Sequence, residues 1–250
     1  MKLTRERRAF GAWTSLGHPS ITEIFAASGV DFIGIDLEHS TISLAEAQGI
    51  MAAAQARGVA CFPRISSHNG EQIKRLLDSG ADGIIVPMVC TREEVNRLVE
   101  WVKYTPIGRR SYGVARAQDY GFKFGEYTSN WNDRSSLIIQ IEAISAVKAI
   151  DELLDHEAVD GAMIGPYDLS GSLGIPGQIE DSRVTDACKI VVEACRRHGK
   201  ACGTQIVEVT PEAIAATHEA GFTFAILASD VFLLWKWSER IRETLKKLPR

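Results

Sequence analysis

Short apolar runs of five to seven residues alternate along this chain with longer segments in which apolar positions recur at helical spacing. Runs that are apolar on both faces are typical of the buried strands of a parallel sheet. The pattern predicts eight strands, at Phe10–Leu16, Asp31–Leu37, Val59–Ile65, Gly83–Met88, Leu137–Ile141, Asp160–Ile164, Ala201–Ile206 and Phe222–Leu227.

A helical segment follows almost every predicted strand. Ser43 with Glu46, and Thr91 with Glu94, have the spacing of a capping box and mark two helix starts. The predicted helices are Pro19–Ser28, Ser43–Arg57, Asn69–Ser79, Thr91–Tyr104, one from about Ser145, Ser182–His198, one from Thr210 to Gly221, and Asp230–Lys247. The exception is Pro106–Arg134, which shows no period and predicts a long loop after the fourth helix.

Eight strand–helix units in 250 residues predict an α/β protein, a single closed (β/α)8 TIM barrel formed by residues 1–250. A doubly wound open sheet is the structural alternative. Such a sheet usually carries a glycine-rich fingerprint after its first strand, and Thr14–Pro19 is not one. We therefore expect one barrel domain, with its chemistry at the carboxyl ends of the strands.

Composition limits the classes of partner. The net charge is -4 and there is no basic block, which argues against nucleic acid. No apolar run approaches the roughly 20 residues needed to span a bilayer, so we expect no membrane partner. The charged start of the chain is unlike a secretory signal. Five scattered cysteines without a paired CxxC motif favour reduced thiols and a cytoplasmic location.

Two carboxylates follow neighbouring predicted strands. Glu142 ends strand five and Asp168 follows strand six, 26 residues later, which is about one strand–helix–strand repeat. Both should therefore emerge at the same rim, where they repel each other unless a cation lies between them. A divalent metal is the simplest such cation. Asp168 taken alone has an alternative interpretation as a helix N-cap.

Other strand ends bring further polar groups to this rim. Arg64 lies near the end of strand three and is stiffened by Pro63, while Asp36 and His39 lie at the end of strand two. Arginine after a strand is commonly a surface residue, and a lone histidine is usually structural. The functional interpretation depends on the convergence of all these residues at one rim.

Several of these segments together resemble the HpcH/HpaI aldolase family, the class II metal-dependent pyruvate aldolases. The resemblance covers roughly residues 9–235, and its D-x-E-H and G-P-x-D-L-S segments are specific in combination. The matching segments are Gly11–Trp13, Asp31–His39, Pro63–Arg64, Val86–Val89, Gln140–Glu142 and Ile164–Ser170.

The resemblance implies a role for each matching residue. Glu142 and Asp168 would hold Mg²⁺ or Mn²⁺, with Co²⁺ as a third candidate. Arg64 would hold the keto oxygen of the substrate and stabilise the enolate. His39, oriented by Asp36, would transfer the proton of the aldol hydroxyl. Contacts to the substrate would come from Trp13, Gln140, Gly165, Pro166, Tyr167 and Asp168.

The implied reaction is reversible cleavage of a 4-hydroxy-2-oxo acid or 2-oxo-3-deoxy sugar acid to pyruvate and an aldehyde. The backbone amides of Tyr167 and Asp168 would bind the substrate carboxylate, and Trp13 would form a wall of the pocket. Position 167 is often small in relatives and is tyrosine here, which leaves the aldehyde open. The resemblance also implies a homo-oligomer, a hexamer built as a trimer of dimers that exchange terminal helices.

The chemistry of the reaction supports the same assignment. Breaking a carbon–carbon bond beta to a ketone leaves a carbanion, which must be held as an enolate. A Lewis acid and a fixed cation on the carbonyl oxygen each supply several kcal/mol of that stabilisation. A Schiff-base mechanism is disfavoured because Lys200 precedes strand seven and belongs to the opposite rim.

Two alternatives remain open from the sequence. A CoA-ester lyase of citramalyl or malyl type would share the architecture, and Arg109, Arg110 and Arg116 could form part of a CoA site. A non-catalytic protein that binds 2-oxo acids should have lost His39 or Arg64, and both are present. Decarboxylation of oxaloacetate uses the same enolate and is expected as a side activity.

Overall fold

Parallel strands in chain order form a closed barrel in the computed structural model, which describes residues 1–249. Each strand pairs with the next, and β8 returns to pair with β1. The predicted (β/α)8 TIM barrel is confirmed. The strands are β1 (Ala9–Thr14), β2 (Phe32–Asp36), β3 (Ala60–Arg64), β4 (Gly83–Val86), β5 (Ser136–Ile141), β6 (Gly161–Ile164), β7 (Ala201–Gln205) and β8 (Phe224–Ser229).

Helices connect the strands, and both predicted capping boxes are formed. Ser43 with Glu46, and Thr91 with Glu94, exchange hydrogen bonds between side chain and backbone. The helices are α1 (Pro19–Ala27), α2 (Leu44–Gln55), α3 (Gly70–Asp78), α4 (Arg92–Val102), α5 (Phe124–Arg134), α6 (Ile144–Lys148), α7 (Ile150–Leu154), α8 (Pro166–Ser172), α9 (Ser182–Arg197), α10 (Pro211–Glu219) and α11 (Asp230–Lys246).

The prediction of one long loop over Pro106–Arg134 was wrong in its second half. A 3₁₀ helix and then α5 follow Ala115. In α5 the one buried side chain is Trp131, which stacks on Tyr127 and donates its indole N–H to the Val102 carbonyl at 2.7 Å. A helix anchored by one aromatic residue shows no apolar period, so its sequence carried no helical signal.

Side chains fill the barrel interior. The rings of Phe32, Phe62 and Phe224 meet edge to face, with centroids 5.5 and 6.2 Å from Phe32. Ile85, Ile138 and Met163 belong to the same inner cluster, and a larger apolar layer lies between the strands and the helices. The barrel is therefore packed through its centre, and reactive side chains are confined to its rims.

The C-terminal helix α11 is poorly covered by its own barrel. Of its 17 residues, Asp230 is the one that is buried. Neither α11 nor any other helix within residues 1–249 is long and apolar enough to cross a bilayer. The exposed apolar side chains of α11 include Phe232, Leu233, Leu234, Trp235 and Trp237.

Candidate active site

Glu142, which directly follows β5, receives a hydrogen bond on each carboxylate oxygen. Its Oε1 accepts from Gln140 Nε2 at 3.0 Å, and its Oε2 accepts the backbone N–H of Met88 at 2.9 Å. The residue is only 4% exposed. Burial is the largest cause that raises the pKa of Glu142 to about 7; the Met88 N–H opposes the rise, and the charges of Asp168 and Glu38 contribute to it. A cation at this carboxylate would reverse that effect.

Asp168 lies beside Glu142 at the same rim. A Cβ on Gly165 would stand 3.0 Å from Glu142 Oε1 and 3.4 Å from Asp168 Oδ2, so both carboxylates converge next to this glycine. The convergence follows from the register, because Ile141 of β5 pairs with Ile164 of β6. Gly165, not Asp168, occupies the N-cap position of α8, so the capping interpretation of Asp168 is wrong.

Arg64, the last residue of β3, is clamped between two carboxylates and an aromatic ring. Its Nε and Nη2 donate to Asp36 Oδ1 at 3.1 and 2.9 Å, and its Nη1 lies 3.1 Å from Glu38 Oε2. The guanidinium carbon lies 5.0 Å from the centroid of the Trp13 ring, a cation–π contact. The register pairs Asp36 directly with Arg64. This cation is therefore held in a single orientation at the rim.

Asp36 contacts Arg64 and the turn after β2, and the predicted contact with the ring of His39 was wrong. Its Oδ1 accepts the backbone N–H groups of Glu38 and His39 at 3.1 Å, and its Oδ2 accepts the Ser15 hydroxyl at 3.3 Å. Burial opposes ionisation of Asp36, but the Arg64 charge and the two N–H donors hold its pKa below the ordinary value. Both carboxylate oxygens are therefore engaged by Arg64, the turn and Ser15, and the imidazole of His39 is not among their hydrogen-bond partners within residues 1–249.

The imidazole of His39 points outward at the mouth of the barrel. The side chain is 71% exposed, and its Nε2 lies 3.9 Å from Glu38 Oε2. Glu38 is therefore the acid nearest to this ring. Burial raises the pKa of Glu38 against the charges of Arg64 and His39.

Trp13 and Gln140 are buried beneath the rim. Trp13 forms the floor under the Arg64 guanidinium, so it supports the site from below. Gln140 donates to Glu142, and its Oε1 has no hydrogen-bond partner within residues 1–249. Both residues orient a charged neighbour.

The four residues from Gly165 to Asp168 form the start of α8. Pro166 begins the helix, and the Tyr167 side chain is exposed at the mouth. The backbone N–H groups of the first turn have no acceptor within the helix. They are available to an anion at this rim.

Sequence reasoning missed a clamp on the loop after β1. Asp230, buried at the start of α11, accepts the Thr14 hydroxyl at 2.8 Å and the backbone N–H groups of Ser15 and Leu16 at 3.0 Å. The Ser15 hydroxyl in turn donates to Asp36, the residue that orients Arg64. The position of Asp230 at the end of β8 was the available signal, by the same rule that identified the other strand ends.

The arginines considered for a CoA site are largely used within the fold. Arg110 is buried, donates to Asp78 at 2.8 Å and lies 4.5 Å from the Trp131 ring centroid. Arg116 donates to the backbone carbonyl of Ser79, directly after α3. Arg109 is the exposed member of the three. These contacts weaken the CoA-ester alternative.

The carboxylate oxygens at this rim are suitable ligands for a small hard cation. No group of three or more His, Cys, Asp or Glu side chains within the described chain is arranged to hold an ion. The candidate ligands for a metal at this rim are therefore the carboxylate oxygens of two residues, Glu142 and Asp168. Mg²⁺ is commonly bound by one or two carboxylates together with waters and substrate oxygens, and Mn²⁺ accepts the same ligands. The residues present fit a metal of this kind.

Comparison with known proteins agrees with this geometry. The family model described as HpcH/HpaI aldolase/citrate lyase matches residues 9–236. A hydroxypyruvate/pyruvate aldolase from Roseovarius nubinhibens is 32% identical over 240 residues, which cover 95% of this chain and 91% of that protein. A 2-keto-3-deoxy-L-rhamnonate aldolase from Escherichia coli (strain K12) is 33% identical over 236 residues, which cover 93% and 86%.

A solved structure leads to the same conclusion. The HpcH/HpaI aldolase from Desulfitobacterium hafniense DCB-2 superposes with a TM-score of 0.88 at 29% identity, covering 97% of this chain and 94% of that one. The expected family and the expected carbon–carbon lyase activity are confirmed by these matches. The chain belongs to the HpcH/HpaI aldolase/citrate lyase family.

Proposed function

We propose that this protein is a class II pyruvate aldolase that reversibly cleaves a 4-hydroxy-2-oxo acid or a 2-oxo-3-deoxy sugar acid. The products are pyruvate and an aldehyde. The observation that carries the proposal is the convergence of Glu142 and Asp168 beside Gly165, at the rim that also holds the clamped guanidinium of Arg64. Relatives named for aldol chemistry on pyruvate and on a keto-deoxy sugar acid support it.

Glu142 and Asp168 would hold the divalent metal, Mg²⁺ or Mn²⁺, with Co²⁺ as a third candidate. When bound, the metal supplies a Lewis acid at the 2-oxo acid. Gln140 and the Met88 amide keep the Glu142 carboxylate oriented for this task. The N–H groups at the start of α8 would bind the substrate carboxylate, and the exposed Tyr167 would contact the aldehyde end.

Arg64 would bind the keto oxygen and stabilise the negative charge that forms there as the carbon–carbon bond breaks. A guanidinium has five N–H donors in a rigid fork, so Asp36 and Glu38 can fix its orientation while others remain for the substrate. A donor that is oriented before the reaction needs no reorganisation during it. Such groups typically contribute about 3 kcal/mol to transition-state stabilisation.

His39 would accept the proton of the aldol hydroxyl, through a water, during cleavage. The hydroxyl oxygen then forms the aldehyde carbonyl, and the electron pair of the broken carbon–carbon bond moves into the enolate. Glu38, 3.9 Å from Nε2, would stabilise the resulting imidazolium. The exposed position of the ring suits contact with a substrate that enters from the mouth.

We expect the purified protein to form an aldol product from pyruvate and an aldehyde only when a divalent metal is present. Dialysis against excess EDTA should lower the rate at least about 100-fold, because the Lewis acid is lost, and Mn²⁺ should restore it. Chromatography of the product over a panel of aldehydes provides the measurement. Full activity after EDTA treatment would contradict the metal role, and no product with any aldehyde and metal would contradict the aldolase assignment.

We also propose that the protein assembles as a hexamer, a trimer of dimers that exchange α11. The helix exposes large apolar side chains to solvent, among them Trp235 and Trp237. The preceding helix, α10, has no buried residue either, so its surface is also uncovered. A second copy of the chain can cover both surfaces.

Sedimentation velocity is expected to show a hexamer for the natural sequence. Trp235→Glu should produce a smaller species, because it introduces a charge into the apolar face of α11. Arg240→Glu is the matched control, because it lies on the charged face of the same helix with Lys236 and Glu243, and it should leave the hexamer intact. A monomeric wild-type protein would contradict the assembly.

We place the enzyme in the cytoplasm. All five cysteines are free thiols, and Cys61, Cys195 and Cys202 are buried. Proteins that retain unpaired cysteines in this number are typical of a reducing compartment, which supports the assignment.

A further inference from the structure

Glu142 receives its second hydrogen bond from a residue in an unusual backbone conformation. Met88 has a φ of 53°, in the left-handed region that non-glycine residues rarely adopt. In this conformation its N–H donates to Glu142 Oε2 at 2.9 Å. We propose that the left-handed backbone of Met88 positions Glu142 for metal binding, which makes Met88 a positioning residue; this inference rests on the proposed function.

The turn that contains Met88 is held on both sides. Pro87 has a fixed φ, and its carbonyl accepts from His68 Nε2 at 2.7 Å. Because a carbonyl oxygen can only accept, this nitrogen carries the proton. Beyond Met88, the Cys90 N–H donates to Glu94 Oε2 at 2.8 Å, within the capping box of α4. Met88 therefore cannot relax to a commoner conformation without disturbing these anchors.

The side chain of Met88 gives no reason for this conformation. It is 49% exposed, so it gains little from packing. Glycine adopts positive φ at little cost, and asparagine tolerates it better than methionine does. The contribution of Met88 is therefore the direction of its backbone N–H, and its side chain is not required.

That direction matters because of how the carboxylate of Glu142 is held. The terminal torsion of a glutamate side chain is broad, so a single hydrogen bond does not fix the carboxylate plane. Gln140 binds Oε1 through a side chain, whereas Met88 binds Oε2 through backbone that cannot rotate freely. The two bonds together keep Oε1 on the side where Asp168 lies.

The experiment compares substitutions that differ in their tolerance of positive φ. Met88→Val is β-branched and disfavours the left-handed region, so the N–H should turn away from Glu142. Met88→Asn and Met88→Gly tolerate this region. The dissociation constant for Mn²⁺, measured by titration calorimetry and by electron paramagnetic resonance of the free ion, should rise at least tenfold in Met88→Val. It should stay within twofold of wild type in Met88→Asn and Met88→Gly.

Met88→Thr is made in parallel, because it is also β-branched and its polar side chain suits this half-exposed site if the valine variant folds poorly. It should lose Mn²⁺ affinity as Met88→Val does. Wild-type affinity in both β-branched variants would overturn this inference while leaving the aldolase proposal intact. Equal losses in all four variants would overturn it as well, because the side chain would then be what matters. If the wild-type protein bound no Mn²⁺, the proposed function and this inference would fail together.

Discussion

Glu142→Gln is expected to abolish Mn²⁺ binding and, in the same protein, to stabilise the metal-free fold. The substitution replaces a charged oxygen ligand with a neutral amide, so the ion loses one of its two carboxylates. Aldol cleavage should fall at least about 1,000-fold in kcat/KM, because the Lewis acid is no longer held. Calorimetric titration with Mn²⁺ and steady-state assays measure the two effects.

The gain in stability follows from the pKa of Glu142, which is raised from an ordinary 4.5 to about 7. The unfolded chain releases this proton near pH 4.5, whereas the folded metal-free protein retains it up to about pH 7. Between these values the folded state binds more protons, so the free energy of unfolding falls as the pH rises. The total loss is on the order of 3 kcal/mol.

Neighbouring residues can accommodate the substituted amide. The Met88 N–H can donate to its oxygen, and the Gln140 side chain can turn so that its unpartnered Oε1 accepts the new N–H. The variant therefore loses the cost of a buried negative charge and keeps both hydrogen bonds of residue 142, while Gln140 still has one unpartnered atom, now Nε2 in place of Oε1. Melting curves in EDTA should show no gain over wild type near pH 4.5 and a clear gain at pH 8.

Glu152→Gln in α7 is the matched control, because it makes the same chemical change on an exposed helix surface. It should alter neither Mn²⁺ affinity nor the melting curves. A Glu142→Gln protein that still bound Mn²⁺ with wild-type affinity would remove this residue from the metal site. If the variant melted at a lower temperature than wild type at pH 8, the charge of Glu142 would not destabilise the metal-free protein.

Features that depend on neighbouring strands in chain order could be predicted from the sequence. The buried strand Leu137–Ile141 is apolar except for Gln140, and it ends sharply at Glu142. Parallel strands that follow one another lie side by side, so the meeting of Glu142 with Asp168 needed only their spacing. Local signals such as the capping box of Thr91 and Glu94 worked for the same reason, since everything they depend on is close in sequence.

Features that depend on side-chain direction could not be predicted in this way. The strand-end rule placed Asp36, Arg64 and His39 at one rim but did not say which of them would touch. The strand register pairs Asp36 with Arg64, and in the tight turn after β2 Asp36 accepts the backbone N–H of His39, while the His39 ring lies near Glu38. The backbone conformation of Met88 has no signal in its residue type, because methionine does not favour positive φ.

Arg64→Ala is expected to stop the enolisation of pyruvate. In deuterium oxide with Mg²⁺, wild-type protein should exchange the methyl protons of pyruvate, and the variant should do so about 100- to 1,000-fold more slowly. The reason is that the enolate oxygen loses its fixed cation. Proton magnetic resonance of pyruvate measures the exchange without any aldehyde, so the result is independent of the second substrate.

Loss of Arg64 has a second consequence, because Asp36 and Glu38 are then left as neighbouring acids with no cation between them. Removing one partner of a buried ion pair typically costs about 3–5 kcal/mol of stability, so the alanine variant should also melt at a lower temperature. Arg92→Ala, which removes a more exposed ion pair with Asp155, is the matched control and should leave exchange unchanged.

Arg64→Lys separates the charge of this residue from its geometry. A lysine ammonium keeps the positive charge near Asp36 and Glu38, so the variant should fold with nearly wild-type stability. It is a point charge without the rigid fork, and it cannot satisfy two carboxylates and orient a keto oxygen at the same time. Exchange should therefore remain well below the wild-type rate although the fold is intact. Wild-type exchange in Arg64→Lys would show that charge alone suffices, and wild-type exchange in Arg64→Ala would exclude the role of this residue in enolisation.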